Sequence, residues 1–307
     1  MNQKPWINPY IGIVIGVLSV STSAIIVKLS SAPAPIIATY RLLFTTLLML
    51  PVILYSFRGH LRLVKKRDML FCIFSGLFLA LHFILWFESL NYTSVASSVV
   101  LVALQPIFAF AGTYLIFKER LHWKGILGGI LALGGSLVIS WGDFQISGIA
   151  LFGDLLALLG AIAVTIYYLF GQDVRKRMHI MPYTFLVYGF ATIALFFYDV
   201  ILEYSLYPFP PEDWIYFLLL AIFPTLLGHT IFNWALKYVS ASVISMVILG
   251  EPIGASILAY FILSETLSVA QVIGGLIILV GIFIFIRKRP HHVADYENVP
   301  GKVVRKQ

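Results

Sequence analysis

The feature that most constrains this 307-residue chain is a segment that occurs twice. When residues 86–140 are moved forward by 146 positions, they align with residues 232–286 without a gap. The identical residues that coincide include Tyr92 and Tyr238, Pro106 and Pro252, Tyr114 and Tyr260, Glu119 and Glu265, Gly128 and Gly274, Gly129 and Gly275, and Gly135 and Gly281. We therefore predict two copies of one structural unit and assign them to residues 1–145 and 146–288.

The two copies carry different charges around the repeated glutamate. Lys118, Arg120 and Lys124 of the first copy are replaced by uncharged residues at positions 264, 266 and 270. Basic residues concentrate in the cytoplasmic loops of membrane proteins, so the copies are predicted to cross a membrane in opposite directions. Two half-size copies of opposite orientation are typical of secondary transporters.

The composition agrees with a membrane protein. The chain is 60% hydrophobic and 11% charged, and its mean hydropathy is +0.94, unlike an ordinary soluble domain. Apolar runs long enough to cross a hydrocarbon layer about 30 Å thick lie at 9–28, 34–57, 69–90, 94–117, 124–141, 150–171, 182–204, 214–237, 240–263 and 268–287. We predict an all-α integral membrane protein, embedded in the lipid bilayer, with ten transmembrane helices in two inverted five-helix repeats.

Several other kinds of protein are disfavoured. The isoelectric point is near 9.4, but the cations form short clusters between apolar runs, so we expect no nucleic-acid partner. Cys72 is the single cysteine, which excludes an intrachain disulfide and a cysteine metal site. The sequence has no glycine-rich loop ending in Lys-Ser or Lys-Thr, the motif of ATP hydrolysis. We expect no metal, no cofactor and no enzymatic activity.

The distribution of lysine and arginine predicts the orientation. With the N-terminus inside, the basic clusters at 58–67, 118–124, 175–177 and 287–289 all fall on the inner side, whereas the outer side keeps only Lys28. The outer loops carry acids instead, as the positive-inside rule requires. Both termini are predicted to be cytoplasmic, residues 289–307 to be a disordered tail, and the protein to lie in the plasma membrane. Whether it is a monomer or a homodimer stays open.

The first apolar run has an alternative interpretation. Residues 11–24 end in Ser-Thr-Ser-Ala, which resembles the small-residue cleavage site of a secretory signal. Cleavage would leave nine spans in the same orientation but would break the five-plus-five symmetry. We therefore predict that this run is retained as the first span.

Three segments carry a family resemblance. They are ATYRLLFTTLLMLP at 38–51, LNYTSVASSVVLVALQPIFA at 90–109 and LKYVSASVISMVILGEPIGA at 236–255, joined by Glu-x-Leu and paired-glycine segments at 119–129 and 265–275. Over nearly its whole length, the chain resembles the EamA branch of the drug/metabolite transporter superfamily. The resemblance implies two inverted five-helix halves, cytoplasmic termini and transport of small metabolites, often outward.

Glu251 is an acid deep inside the ninth predicted span. A charge at the centre of a bilayer costs about 2.5–3.5 kcal/mol on insertion scales, so this acid is a candidate for function. It would bind a cationic group of the substrate or carry a coupling proton. A protonated carboxyl that stabilises the backbone beside Pro252 is the structural alternative. Its counterpart in the first copy is the neutral Gln105.

Pro106 and Pro252 occupy matching positions in the two copies. Proline lacks an amide hydrogen and its ring crowds the carbonyl four residues earlier. Broken helices at matching positions in two halves indicate a transporter's binding site. Kinks that only fit neighbouring helices are the alternative.

Two histidines form a second pair across the repeat. His82 is followed at i+4 by Trp86, and His229 by Asn233, so each pair is predicted to share one helix face. These four side chains would suit a small amphipathic ligand, and a histidine titrates near neutral pH. Hydrogen bonding to a neighbouring helix is the alternative role.

Arg41 is the single lysine or arginine that lies within a predicted span and not at its end. Its side chain either extends to the outer headgroups or faces a central cavity as a counter-charge to Glu251 or to a substrate carboxylate. Ser19, Thr22 and Ser23 share one face of the first span, where they either line the same cavity or pack helices together.

From these observations we predict a secondary-active transporter, acting as an exporter of a small polar or amphipathic metabolite such as an amino acid. Proton coupling and simple exchange both remain open. An exporter of lipophilic cations is the first rival, although the first span contains no acid. A membrane-embedded lipid enzyme and a non-transporting sensor are more distant alternatives.

Overall fold

The computed structural model describes residue 5 and residues 7–93, 95–120, 122–139, 148–264 and 267–287. All the regular structure in these ranges is helical. The α-helices are α1 (Pro9–Val20), α2 (Thr22–Leu29), α3 (Ala34–Val52), α4 (Arg58–Arg62), α5 (Lys66–Ser89), α6 (Val95–Val102), α7 (Gln105–Phe117), α8 (Trp123–Ile139), α9 (Gly148–Val174), α10 (Ile180–Ile201), α11 (Pro211–Leu220), α12 (Thr230–Ala235), α13 (Ala241–Ile248), α14 (Glu251–Leu263) and α15 (Val269–Arg287). Two π-helical segments, Ile53–Phe57 and Ala221–His229, continue α3 and join α11 to α12.

The predicted membrane fold is confirmed. Within the described ranges, nine helical stretches are long and apolar enough to cross a membrane, and a shorter apolar helix at Trp123–Val138 occupies the fifth position. Their order follows the predicted runs with boundary shifts of a few residues. The predicted tail at 289–307 lies outside the described residues.

The helices pack in matched pairs across the two copies. The second span (α3) packs on the seventh (α10), the fourth (α7) on the ninth (α13), and the fifth (α8) on the tenth (α15). The third span (α5) packs on the sixth (α9), as the first (α1) packs on the eighth at Ala221–His229. If the two copies are exchanged, the first three of these contacts are unchanged. The contact of the third span with the sixth becomes that of the eighth span with the first. The packing is therefore symmetric, as two-repeat architecture requires.

Glycines bring α8 and α15 into backbone contact. A methyl group added at Gly128 would lie 2.6 Å from the Gly281 carbonyl oxygen, and one at Gly135 would lie 2.6 Å from the Gly274 carbonyl oxygen. Such small residues allow close helix approach in membranes, where dispersion contacts drive association. A methyl group added at Gly125, by contrast, would lie 3.6 Å from the Phe285 ring. The closest approach of α8 to α15 is therefore at Gly128 and Gly135, and not at the first glycine of the Gly125-x-x-x-Gly129 motif.

Prolines coincide with the irregular helical segments. Pro224 lies within the π-helical segment Ala221–His229, where the hydroxyl of Thr225 donates to the Leu220 carbonyl at 2.8 Å and that of Thr230 to the Thr225 carbonyl at 3.2 Å. Proline cannot donate a backbone hydrogen bond, and π segments are frequent at functional sites. This segment carries Thr225 and His229 to the centre of the protein.

Arg175, counted above as a loop cation, is buried. Its Nε donates to the Asn233 carbonyl at 2.9 Å, and its Nη1 donates to the Met178 carbonyl. Burial lowers the pKa of Arg175 to about 10, so the side chain stays charged at neutral pH. Arg175 therefore joins the ends of α9 and α12 in addition to marking the inner side.

Candidate substrate site between the two halves

A central cavity lies where the broken helices of the two halves meet. It has about 600 Å³ of space that no protein atom fills, including the part that opens outward. Its walls are Val20, Ser23, Arg41, His82, Trp86, Val99, Val102, Ala103, Gln105, Val164, Tyr168, His229, Phe232, Ile248, Glu251 and Pro252. Both halves contribute, and polar groups form small islands in an otherwise apolar wall, as in many ligand sites.

Arg41 faces this cavity, not the headgroups. Its side chain is only 1% exposed, and its Nε donates to the Thr225 hydroxyl at 2.7 Å while Nη1 donates to the Ser23 hydroxyl at 3.1 Å. The guanidinium carbon lies 4.7 Å from the centre of the Phe83 ring, a cation–π arrangement. Three neighbours thus orient the guanidinium, and neutral hydroxyls leave its charge uncompensated.

Glu251 lies at the first residue of α14, directly after the break that separates α13 from α14. A carboxylate is favoured there by the positive end of the helix dipole. Its carboxylate forms no hydrogen bond or ion pair with any side chain in the part of the chain that the structure describes. Arg41 is close enough to attract it electrostatically, but the two groups are not in contact.

Gln105 occupies the matching position at the first residue of α7. It is buried, and its Oε1 has no hydrogen-bond partner among the described residues. The N-terminal ends of α7 and α14 therefore both meet the cavity, one with an amide and one with a carboxylate. Pro252 also lines the cavity, whereas Pro106 lies next to Gln105 and does not.

His82 and Trp86 form one wall of the cavity. The His82 Nδ1 is 3.0 Å from the Gly160 carbonyl oxygen. A carbonyl only accepts, so Nδ1 carries the hydrogen and Nε2 is an acceptor. The Trp86 ring stacks on His82 with centroids 5.6 Å apart.

His229 and Asn233 do not act together as their spacing suggests. His229 lines the cavity and is hydrogen-bonded through Nδ1 to the Tyr168 hydroxyl at 3.3 Å, whereas Asn233 is absent from the walls. The Asn233 amide donates to the His229 carbonyl at 2.7 Å and to the Tyr167 hydroxyl. Local side-chain bonds to the preceding helical turn are a common alternative for asparagine, and here they hold Asn233 against α9.

A hydrogen-bonded layer joins the two halves away from the cavity walls. The Gln172 amide donates to the Glu119 carboxylate at 2.8 Å, and its oxygen accepts from the Ala241 backbone N–H at 2.7 Å. Nearby, the hydroxyls of Thr113 and Ser242 are 2.7 Å apart. These contacts join the first half to the second at the end that the basic clusters predict to be cytoplasmic. We name Glu119, Gln172 and Ala241 the inner layer.

Comparison with known proteins decides the family. The sequence pattern described as the EamA-like transporter family matches residues 8–141 and matches again at residues 151–287. The chain belongs to the EamA-like transporter family. The match extends through all the helices named above, so this is a multi-pass membrane transporter.

Relatives of this EamA-like transporter carry names of the same general kind. An "Uncharacterized transporter" of Archaeoglobus fulgidus is 26% identical over 199 residues, covering 65% of this chain and 70% of that protein. "Uncharacterized transporter YetK" of Bacillus subtilis (strain 168) is 24% identical over 299 residues, covering 93% and 89%. A crystal structure superposes with a TM-score of 0.75 at 18% identity, over 90% of this chain and 95% of the other. At that identity it supports the fold alone.

The structure adds site residues of this EamA-like transporter that sequence reasoning missed. Thr225, Phe83 and Tyr168 contact Arg41 or His229. Ser23 lines the cavity, one of the two roles expected for it, and accepts a hydrogen bond from Arg41. Pro224 inside the eighth span was a usable signal for an irregular segment at Thr225. No sequence signal distinguished Phe83 and Tyr168, because they lie among many other aromatic residues in apolar runs.

Proposed function

We propose that this protein is a secondary-active exporter of a small zwitterionic metabolite, of the amino-acid class, across the plasma membrane. One observation carries the proposal: Arg41 and Glu251 line the same cavity with opposite charges and are not paired with each other. A buried charge without a partner is costly, and a ligand with both charges would satisfy the two groups together.

Arg41 suits a carboxylate. Its guanidinium is oriented by the hydroxyls of Ser23 and Thr225, neither of which neutralises it, and guanidinium–carboxylate pairs are among the stronger hydrogen-bonded contacts. The N-terminal ends of α7 and α14 add positive potential at the same cavity. A polyphosphate would need several cations aimed at one point, and Arg41 is the one cation on the cavity wall.

Glu251 suits an ammonium group or a proton. Because its carboxylate has no side-chain partner among the described residues, it is available to a cation from the cavity. A proton and a substrate ammonium would compete for the same oxygens. Alternate occupation by the two is the simplest way for a single acid to couple export to a proton gradient.

The conformation fits one step of alternating access. The inner layer is hydrogen-bonded on the predicted cytoplasmic side, whereas a second cavity adjoins the central one beside Lys28 and Leu90, at the ends of the first and third spans. With both termini in the cytoplasm, as the basic clusters predict, we infer that this conformation is the outward-open state. Rocking of the two repeats, residues 1–145 and 146–288, about the central cavity would then expose it to the cytoplasm.

The test uses purified protein in liposomes loaded with a mixture of amino acids, with and without a pH gradient. Mass spectrometry of the released solutes should show export of a subset, and Arg41→Gln should abolish it with protein levels unchanged. Release of quaternary ammonium dyes alone, unaffected by Arg41→Gln, would overturn the proposal in favour of a lipophilic-cation exporter.

A further inference from the structure

A second cavity adjoins the central one. It has about 600 Å³ of unfilled space, including its open part, and its walls are Ala24, Val27, Lys28, Trp86, Phe87, Leu90 and Val99. We call it the outer vestibule. Apart from Lys28, every wall residue is apolar or presents an aromatic ring. The outer vestibule therefore differs from the central cavity, where charged and hydrogen-bonding groups come from both halves.

The two cavities share a wall. Trp86 and Val99 line both of them. Trp86 is 8% exposed, stacks on His82 on one side and contacts the Phe87 ring on the other, with ring centroids 5.0 Å apart. Its indole Nε1 has no hydrogen-bond partner within the described ranges. A ligand held at Arg41 and Glu251 would thus have an apolar chamber beside its uncharged part.

We propose that the outer vestibule is a subsite for a bulky apolar side chain of the transported solute, whose charged end lies at Arg41 and Glu251. This inference rests on the proposed function and adds the chemical class of the side chain. Burying one more methylene group in such a chamber raises affinity about fourfold. The central cavity alone would bind zwitterions with large and small side chains equally well. With the outer vestibule as a subsite, the protein should prefer zwitterions with large apolar side chains.

The test is competition by a series of amino acids with growing side chains, alanine, valine, leucine and phenylalanine, in liposomes containing the purified protein. In the unchanged protein, affinity should rise at least tenfold along the series. Val27→Phe adds a ring at a wall residue that lines the outer vestibule but not the central cavity, and it should remove this rise while leaving the affinity for alanine within twofold. Val14→Phe makes the same change on an exposed surface of α1 and should alter nothing.

Three outcomes would overturn the subsite. They are an affinity independent of side-chain size, an equal slowing of every solute by Val27→Phe, which would indicate a mere exit path, and displacement by fatty acids only. Failure of every amino acid to compete would instead refute the proposed function. In that event Val27→Cys reports on the outer vestibule itself, because Val27 does not line the central cavity. The introduced thiol should react with an alkyl thiosulfonate more slowly when alkylammonium ions are present, and longer alkyl chains should slow the reaction more. If alkylammonium ions do not slow the reaction, the outer vestibule is not a binding site.

Discussion

The Nε of Arg41 donates to the hydroxyl of Thr225 across 2.7 Å, and both side chains are buried. Thr225 lies in the π-helical segment Ala221–His229, where its hydroxyl also donates to the Leu220 carbonyl. The irregular segment thus holds one hydroxyl between its own backbone and a guanidinium from another helix. Arg41 is thus oriented by both halves, by Ser23 and Phe83 of its own half and by Thr225 of the other.

Removing this hydroxyl should weaken substrate binding. Thr225→Val keeps the shape of the side chain but deletes the acceptor, and hydrogen bonds to charged groups contribute about 1.5–3 kcal/mol. We expect the KM for the exported solute to rise about tenfold or more, with a smaller change in the maximal rate. Thr225→Ser should restore the KM. Thr46→Val, which removes a hydroxyl bonded only to the Leu42 carbonyl, is the matched control and should leave KM unchanged.

Glu251→Gln separates coupling from binding. The amide keeps the size of the side chain but cannot release a proton. If Glu251 carries the coupling proton, gradient-driven export should be lost while exchange of solute between the two sides continues. The measurement compares the two modes in the same liposomes. Export that still follows the pH gradient would exclude Glu251 from coupling, and unstable protein would indicate the structural role beside Pro252.

The inner layer should control the balance between the two cavity orientations. Gln172→Leu removes the hydrogen bonds to Glu119 and to the Ala241 N–H, and each contributes about 1 kcal/mol. The outward-open state should lose population by about tenfold or more, measured as weaker solute binding from outside. Glu119→Gln retains an acceptor for the Gln172 amide and should have a much smaller effect. Equal effects of both changes would contradict this role for the hydrogen bonds.

Neighbouring glycines on α8 provide a test of packing. Gly135→Ala would place a methyl 2.6 Å from the Gly274 carbonyl oxygen, whereas Gly134 has no atom within 4 Å of the same position. We expect Gly135→Ala to lower the thermal stability of the purified protein, because α8 and α15 must separate. Gly134→Ala should be neutral or slightly stabilising, since alanine favours helix by about 1 kcal/mol over glycine. Equal stabilities would show that α15 does not approach α8 this closely.

Single cysteines test the orientation. The native Cys72 is fully buried, so it should not react with an impermeant thiol reagent. A cysteine at Ser205, in the loop between α10 and α11, should be labelled in intact cells. One at Lys176, in the loop between α9 and α10, should be labelled only after the membrane is opened. Labelling of Lys176→Cys from outside would refute the inverted five-plus-five arrangement.

Much of the fold was predictable because it depends on patterns that the membrane imposes. Apolar runs of fixed length, the charge difference beside Glu119 and Glu265, and the repeated prolines were all readable without coordinates. The same pattern placed Gln105 and Glu251 at matching positions of the two copies, and the structure showed that each begins a helix. The direction of an individual side chain was not readable in this way. Asn233 has the spacing of a cavity residue, yet its amide donates to Tyr167 and to its own helix.

The sequence by itself determined the number of spans, the duplication and the family, because hydropathy, repeat spacing and family motifs are properties of the linear chain. Only the tertiary structure decided that Arg41 turns inward to Thr225 and Ser23, that Arg175 is buried against Asn233, and that Trp86 separates two cavities. These contacts join helices that are far apart in the chain, or they depend on which of several possible neighbours a side chain meets. A span tolerates many rotations about its own axis, and packing against the other half selects one.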